Sequence, residues 1–138
     1  MNEQEIINLT ERLITSIVNS DWETYTELCA DDLTAFEPEA EGYLIQGMPF
    51  HKHYFDMKER SPYAGVTTTL SCPHVRIMGD VAIIAYVRLT QRAESGGGSR
   101  TNAFRETRVW QHRGGVWKHV HFHRSKRPSG PKNRPPPI

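Results

Sequence analysis

Val81-Ala82-Ile83-Ile84-Ala85-Tyr86-Val87-Arg88-Leu89-Thr90-Gln91-Arg92 is the stretch on which the fold turns. Its β-branched and aromatic residues follow the Gly79-Asp80 turn and read as a strand. Its apolar run, Val81 to Val87, is far too short to cross a bilayer. Arg88 alternates in phase with Ile84 and Tyr86, so a cation stands on the apolar side of a strand. Arg108 shares its parity with Phe104 and Trp110, and Arg124 with Val120 and Phe122. A guanidinium in such a place is costly unless it meets an anion. Three on successive strands describe a cationic cavity, because forked guanidiniums suit carboxylate or phosphate ligands. The internal acids Glu37, Glu39 and Glu106 could equally satisfy these arginines without a ligand.

Around this stretch the period of two runs from Gly65 onward. Strands are predicted over 65–78, 81–92, 100–112 and 116–124, with Gly96-Gly97-Gly98 and Gly114-Gly115 as turns. The Gly114-Gly115 hairpin decides the cavity. A two-residue loop puts Arg108 and Arg124 on opposite faces; a three-residue loop over Arg113-Gly114-Gly115 puts them together, and is favoured. Upstream, Ile6, Leu9, Leu13, Ile14 and Ile17 mark an amphipathic helix over 3–19. Ser20 and Asp21 offer caps to a second helix from Trp22 to about Cys29. A short strand is expected over Leu33–Glu37 and a third helix over Pro49–Lys58. Helices first and a meander afterwards specify an α+β domain over 1–124, helices on one face of a curved antiparallel sheet. The remainder, 125–138, holds five prolines and four bases without an acid, and reads as a disordered or polyproline-like tail. Its Pro128-x-x-Pro131 and Arg134-Pro135-Pro136-Pro137 could dock an aromatic groove.

The chain has 138 residues, enough for one domain with a real core. Its 17 bases and 16 acids leave a net charge of +1, which argues against a nucleic-acid binder. Those charges are segregated: residues 1–59 carry thirteen acids and three bases, residues 60–138 three acids and fourteen bases. Such halves can neutralise each other within one fold or between subunits. The acidic start lacks the features of a signal peptide, and two cysteines, Cys29 and Cys72, make no disulfide framework. A soluble, cytoplasmic, membrane-free domain is expected.

His119, His121 and His123 alternate and raise a metal site, but no third ligand type sits at suitable spacing, so no metal or other cofactor is expected. Phosphate loops, nucleophile elbows and Cys–His signatures are absent from the sequence. No catalytic residue is assigned.

Several blocks resemble a known family. Thr34-Ala35-Phe36-Glu37-Pro38-Glu39-Ala40, Phe50-His51, Tyr54-Phe55, Pro73-His74-Val75, Ala85 to Gln91, Glu106-Thr107-Arg108-Val109-Trp110 and Val120 to Ser125 look like the association, or hub, domain of calcium/calmodulin-dependent protein kinase type II. The resemblance runs from about Glu3 to Ser125. It implies a cone-shaped fold of the nuclear-transport-factor type, a long N-terminal helix cradled by a strongly bent sheet. It also implies homo-oligomers: pairs closing into two stacked rings of roughly six or seven subunits each, a dodecamer, tetradecamer or larger, that display kinase domains. The family's pocket corresponds to Arg88, Arg108, Arg124, His51 and Tyr25 here, and would take a small carboxylate or a regulatory peptide. Trp110, Trp117, His119, His121 and His123 are then the expected subunit contacts, and Arg108→Ala is expected to spare the fold. The chain reads as an excised piece or a free-standing hub. The alternative is a small enzyme on the same cone, an isomerase or dehydratase with Glu37, Glu39 or His51 as base and an arginine as anion stabiliser.

Overall fold

The computed structural model describes residues 2–57 and 66–126. The Lys58–Gly65 connection and the two proline motifs of the tail lie outside the described residues. Helix α1 spans Glu3–Val18. The Asn2 side chain accepts from the Glu5 N–H at 3.0 Å, and two glutamates in the first turn face the positive end of the helix dipole. Ser20, at φ +54°, ends the helix in the left-handed region, and Asp21 caps α2 (Trp22–Leu28) by accepting from the Thr24 N–H at 3.1 Å. Strand β1 (Cys29–Phe36) starts where α2 stops. It is longer than predicted because Cys29 and Ala30, as well as Leu33 and Ala35, are buried.

A 3-10 turn over Pro38–Ala40 follows, closed by Glu41 at φ +51° and Gly42 at φ +92°. Then come β2 (Ile45–Gln46), α3 (Pro49–Asp56), β3 (Val66–Met78), β4 (Val81–Ala93), β5 (Ser99–Arg113) and β6 (Val116–Lys126). The six strands form one sheet in the order β2-β1-β6-β5-β4-β3. The meander β3 to β6 is antiparallel as predicted. One pairing departs from the expectation of a wholly antiparallel sheet: β1 lies parallel to β6. These two strands are far apart in the chain, so no hairpin dictates their relative direction.

The helices cover one face of this sheet. Ile6 and Leu13 from α1, Leu33 and Ala35 from β1, Ile84 from β4 and Trp110 from β5 are fully buried together. Trp110 donates its indole N–H to the Thr10 hydroxyl at 3.2 Å, tying helix to sheet. Burial of the apolar side chains contributes about 1.5–3 kcal/mol each, which is what holds the helices down. Among the described residues no helix is long and apolar enough to cross a membrane.

Two hairpin details position the site. The β5–β6 loop is Gly114-Gly115 alone, since Arg113 pairs with Val116, and both glycines have positive φ (+53° and +85°). Such a two-residue turn matches the strand twist and requires the left-handed region at both positions. The predicted three-residue loop is therefore not formed. Arg108 and Arg124 nevertheless share a face. Trp110 pairs with His119 and Val109 with His121, so Val120 is an extra, bulged residue that resets the alternation. Beyond it, Arg108 stands opposite Phe122 and Glu106 opposite Arg124. Strand β6 continues through Ser125 and Lys126, which pair with Arg105 and Phe104, two residues past the predicted tail boundary. At the other edge, β3 carries its own bulge at Cys72-Pro73, with Cys72 at φ +52°.

Candidate functional site

The face that the bulge restores forms a cavity of about 440 Å³, partly open to solvent. Arg88 from β4, Arg108 from β5 and Arg124 from β6 line it beside Tyr25, Glu37, His51 and Phe122. The sequence reading had drawn five of these, the arginines, Tyr25 and His51, into one pocket. Phe122 had served only as a marker of phase, yet its ring lies under the Arg108 guanidinium at 4.7 Å.

Glu106 is the counter-ion at the centre. Its Oε1 accepts from Arg108 Nη2 at 3.3 Å and from the Tyr86 hydroxyl at 2.5 Å, and its Oε2 stands 3.5 Å from Arg88 Nη1. Arg108 Nε donates to the Tyr86 oxygen at 2.8 Å, and Nη1 lies 3.3 Å from His119 Nε2. Burial opposes the charge on Glu106, but Arg108 and then Arg88 outweigh it and hold the carboxyl below its ordinary value. Tyr86 was placed in phase with Arg88 by the strand period, without the role of bridging Arg108 and Glu106 that it fills here.

The mouth is built differently. Arg124, 9% exposed, donates to Glu39 on the 3-10 turn, and its guanidinium stands 5.3 Å from the Phe104 ring centre. Glu37 enters from the end of β1, with its Oε1 4.0 Å from His51 Nε2. Burial pushes the Glu37 carboxyl up to about 7, although Arg124 pulls the other way. Burial, and then the nearby Arg108, push His51 down to about 4, so its imidazole is neutral near pH 7. The Tyr25 hydroxyl lies 3.4 Å from His51 Nδ1, and burial keeps that phenol protonated. Nδ1 thus accepts and Nε2 carries the proton. That N–H is buried without a hydrogen-bond partner among the described residues. The cavity therefore offers a neutral donor beside guanidinium groups, the donor set that a carboxylate takes.

The three histidines of β6 do not converge. His119 turns inward at the bulge, fully buried, with Nδ1 3.5 Å from Cys29 Sγ. His121 is on the outer face, bonded to the Thr34 hydroxyl at 2.7 Å, and His123 packs on Phe36. Among the described residues no cluster of His, Cys, Asp and Glu is placed to hold a metal ion. The same geometry corrects two expected subunit contacts. Trp110 and His119 are wholly enclosed within the protomer, because both face α1 and the arginine network. Trp117 is half-buried beside His112, and it remains, with His121 and His123, outside the core. Burial raises the Cys29 thiol to about 12, which makes it inert.

Comparison with known proteins follows from this geometry. Residues 2–128 match the model of the calcium/calmodulin dependent protein kinase II association domain. The rabbit (Oryctolagus cuniculus) calcium/calmodulin-dependent protein kinase type II subunit delta is 48% identical over 134 residues, 96% of this chain. The chain spans 25% of that relative's length. The association domain of C. elegans CaMKII is 45% identical with a TM-score of 0.81, over 89% of this chain and 94% of that one. An NTF2-like protein from Cytophaga hutchinsonii, 22% identical with a TM-score of 0.70 over 91% and 99% of the two chains, shares the fold alone. The expected α+β fold of the nuclear-transport-factor type is the one found, with a mixed rather than purely antiparallel sheet. By its match across nearly the whole described chain, this protein belongs to the calcium/calmodulin dependent protein kinase II association domain family, whose function is self-association.

Proposed function

We propose that the chain is a non-catalytic hub whose copies pair and close into two stacked rings, a dodecamer, tetradecamer or larger assembly. The observation that carries this reading is the family match over residues 2–128. Closed rings need a heterologous contact that completes after a fixed rotation. The exposed flank formed by Val116 and Trp117, and the outer face around Phe36, His121 and His123, are the surfaces left for it. The assembly would gather kinase domains, as the quarter-length match to a kinase subunit suggests. Native mass spectrometry of the purified chain tests this. Discrete, even-numbered species far above a dimer are expected; a clean monomer or dimer at micromolar concentration would remove the ring.

The arginine cavity is, on this proposal, a site for a small carboxylate or an acidic peptide segment, held by Arg124, Arg108 and the His51 N–H. Three cations on adjacent strands and a partnerless buried N–H support it. A second reading, an isomerase-like enzyme, draws on one observation: Glu37, held near 7 by burial, is poised for general-base work. Turnover of any member of a ketosteroid and epoxide panel, lost in Glu37→Gln, would favour it; a flat panel leaves the hub reading.

A further inference from the structure

The cations of the cavity do not share their counter-ions evenly. Arg88 and Arg108 divide the two oxygens of Glu106, which is fully enclosed. Arg124 has a different partner, Glu39, whose side chain is 31% exposed on the 3-10 turn at the mouth. Glu37, on the same turn's approach, carries a carboxyl that burial keeps protonated on the acid side of neutrality. Counted across the cavity wall, three cations then face two carboxylates. One positive charge is left over, enough for one negative charge from a ligand.

We propose that Glu39 is the specificity-determining residue of this pocket: as the resident counter-ion of Arg124, it admits ligands with a single carboxylate and turns away dicarboxylates. The inference rests on the reading of the cavity as a carboxylate site. Its physical basis is repulsion. A second ligand carboxylate must either lie against Glu39 or strip it from Arg124, and like charges in a partly desolvated site are strongly disfavoured. Glu106 cannot play this part, because it is the shared anion of two buried guanidiniums and has no room to yield. Glu39 stands where a ligand must pass, on a turn closed by residues in the left-handed region rather than by packing.

The test is a calorimetric titration of the full chain near pH 6 with butanoate and with succinate, which share a carbon skeleton and differ by one carboxylate. The parent is expected to prefer butanoate. Glu39→Gln should move the ratio of the two affinities toward succinate by about tenfold or more, as removal of one repulsive charge implies. Glu39→Asp keeps the charge and should keep the parent's preference. An unchanged ratio in Glu39→Gln overturns the inference while butanoate binding leaves the carboxylate site standing. Equal weakening of both anions would make Glu39 a mere clamp and also overturns it. Should parent and both variants bind neither anion, the carboxylate site itself falls, and this inference with it.

Discussion

The floor and the mouth of the arginine cavity use the same two side-chain types to opposite ends. On the floor, Arg108 is 1% exposed and each of its nitrogens faces Glu106, Tyr86 or His119. At the mouth, Arg124 leans on a glutamate that reaches into solvent from a short turn. A guanidinium lining a cavity is thus not by itself a ligand-binding group. What distinguishes the two is whether the counter-ion can be replaced by a ligand's carboxylate. Floor arginines hold three strands together; the mouth arginine can exchange partners.

The largest effect should come from removing the floor's anion. Glu106→Gln leaves two buried guanidiniums without their shared charge and is expected to cost about 3–5 kcal/mol of stability in urea unfolding. Glu39→Gln, at the solvent-exposed partner, should cost no more than about 1 kcal/mol. Equal losses would break the comparison. The arginines give the next test. Arg108→Ala strands Glu106 and Tyr86 and should cost about 3 kcal/mol or more, against the sequence-based expectation that it spares the fold. Arg124→Ala should keep most of the stability yet lose about tenfold or more in butanoate affinity, because it removes a charged donor from the ligand. If Arg124→Ala unfolded the chain as readily as Arg108→Ala, mouth and floor would be one structural unit.

A smaller, pH-dependent effect sharpens the contrast. Glu37 titrates near 4.5 when unfolded and near 7 when folded, so the folded chain keeps a proton that the unfolded chain has lost. Its contribution is present below about pH 4.5 and is lost as pH rises to about 7. His51 is shifted from 6.5 to about 4, so it lowers stability as pH falls through that range. In Glu37→Gln only the His51 effect remains, and the variant should gain on the parent between about pH 4.5 and 7. Urea midpoints measured across that range check the sign. Glu106 behaves in reverse: its lowered carboxyl contributes stability that is lost on acidification.

Much of this was legible in the chain itself. The period of two from Val66 to Lys126 and the helical stripe through Ile6, Leu13 and Ile14 carry the architecture, since burial of alternate or every third and fourth residue leaves a written trace. The floor arginines stood out because a cation in apolar phase is rare. What the sequence could not show is the reason Arg108 and Arg124 meet. A two-residue turn and a bulge at Val120 give the same facing as a three-residue turn without one, and only the register separates them. The bulge also carried His119 and Trp110 into the core, where the alternation His119, His121, His123 had suggested a surface. Glu39's partner was open in the sequence because a turn residue can face many neighbours.

The interruption of β3 bears on how a self-associating protein stays finite. An outermost strand with an unbroken row of free amides and carbonyls can recruit another strand, and that one another, without any natural stopping point. Here the thirteen-residue edge is split at Cys72-Pro73, where the backbone turns out of line and the proline has no amide hydrogen to lend. Each remaining run is a short landing. Copies of this chain are therefore steered away from fibre-like growth along the backbone and toward meetings between side chains, whose geometry can close on itself.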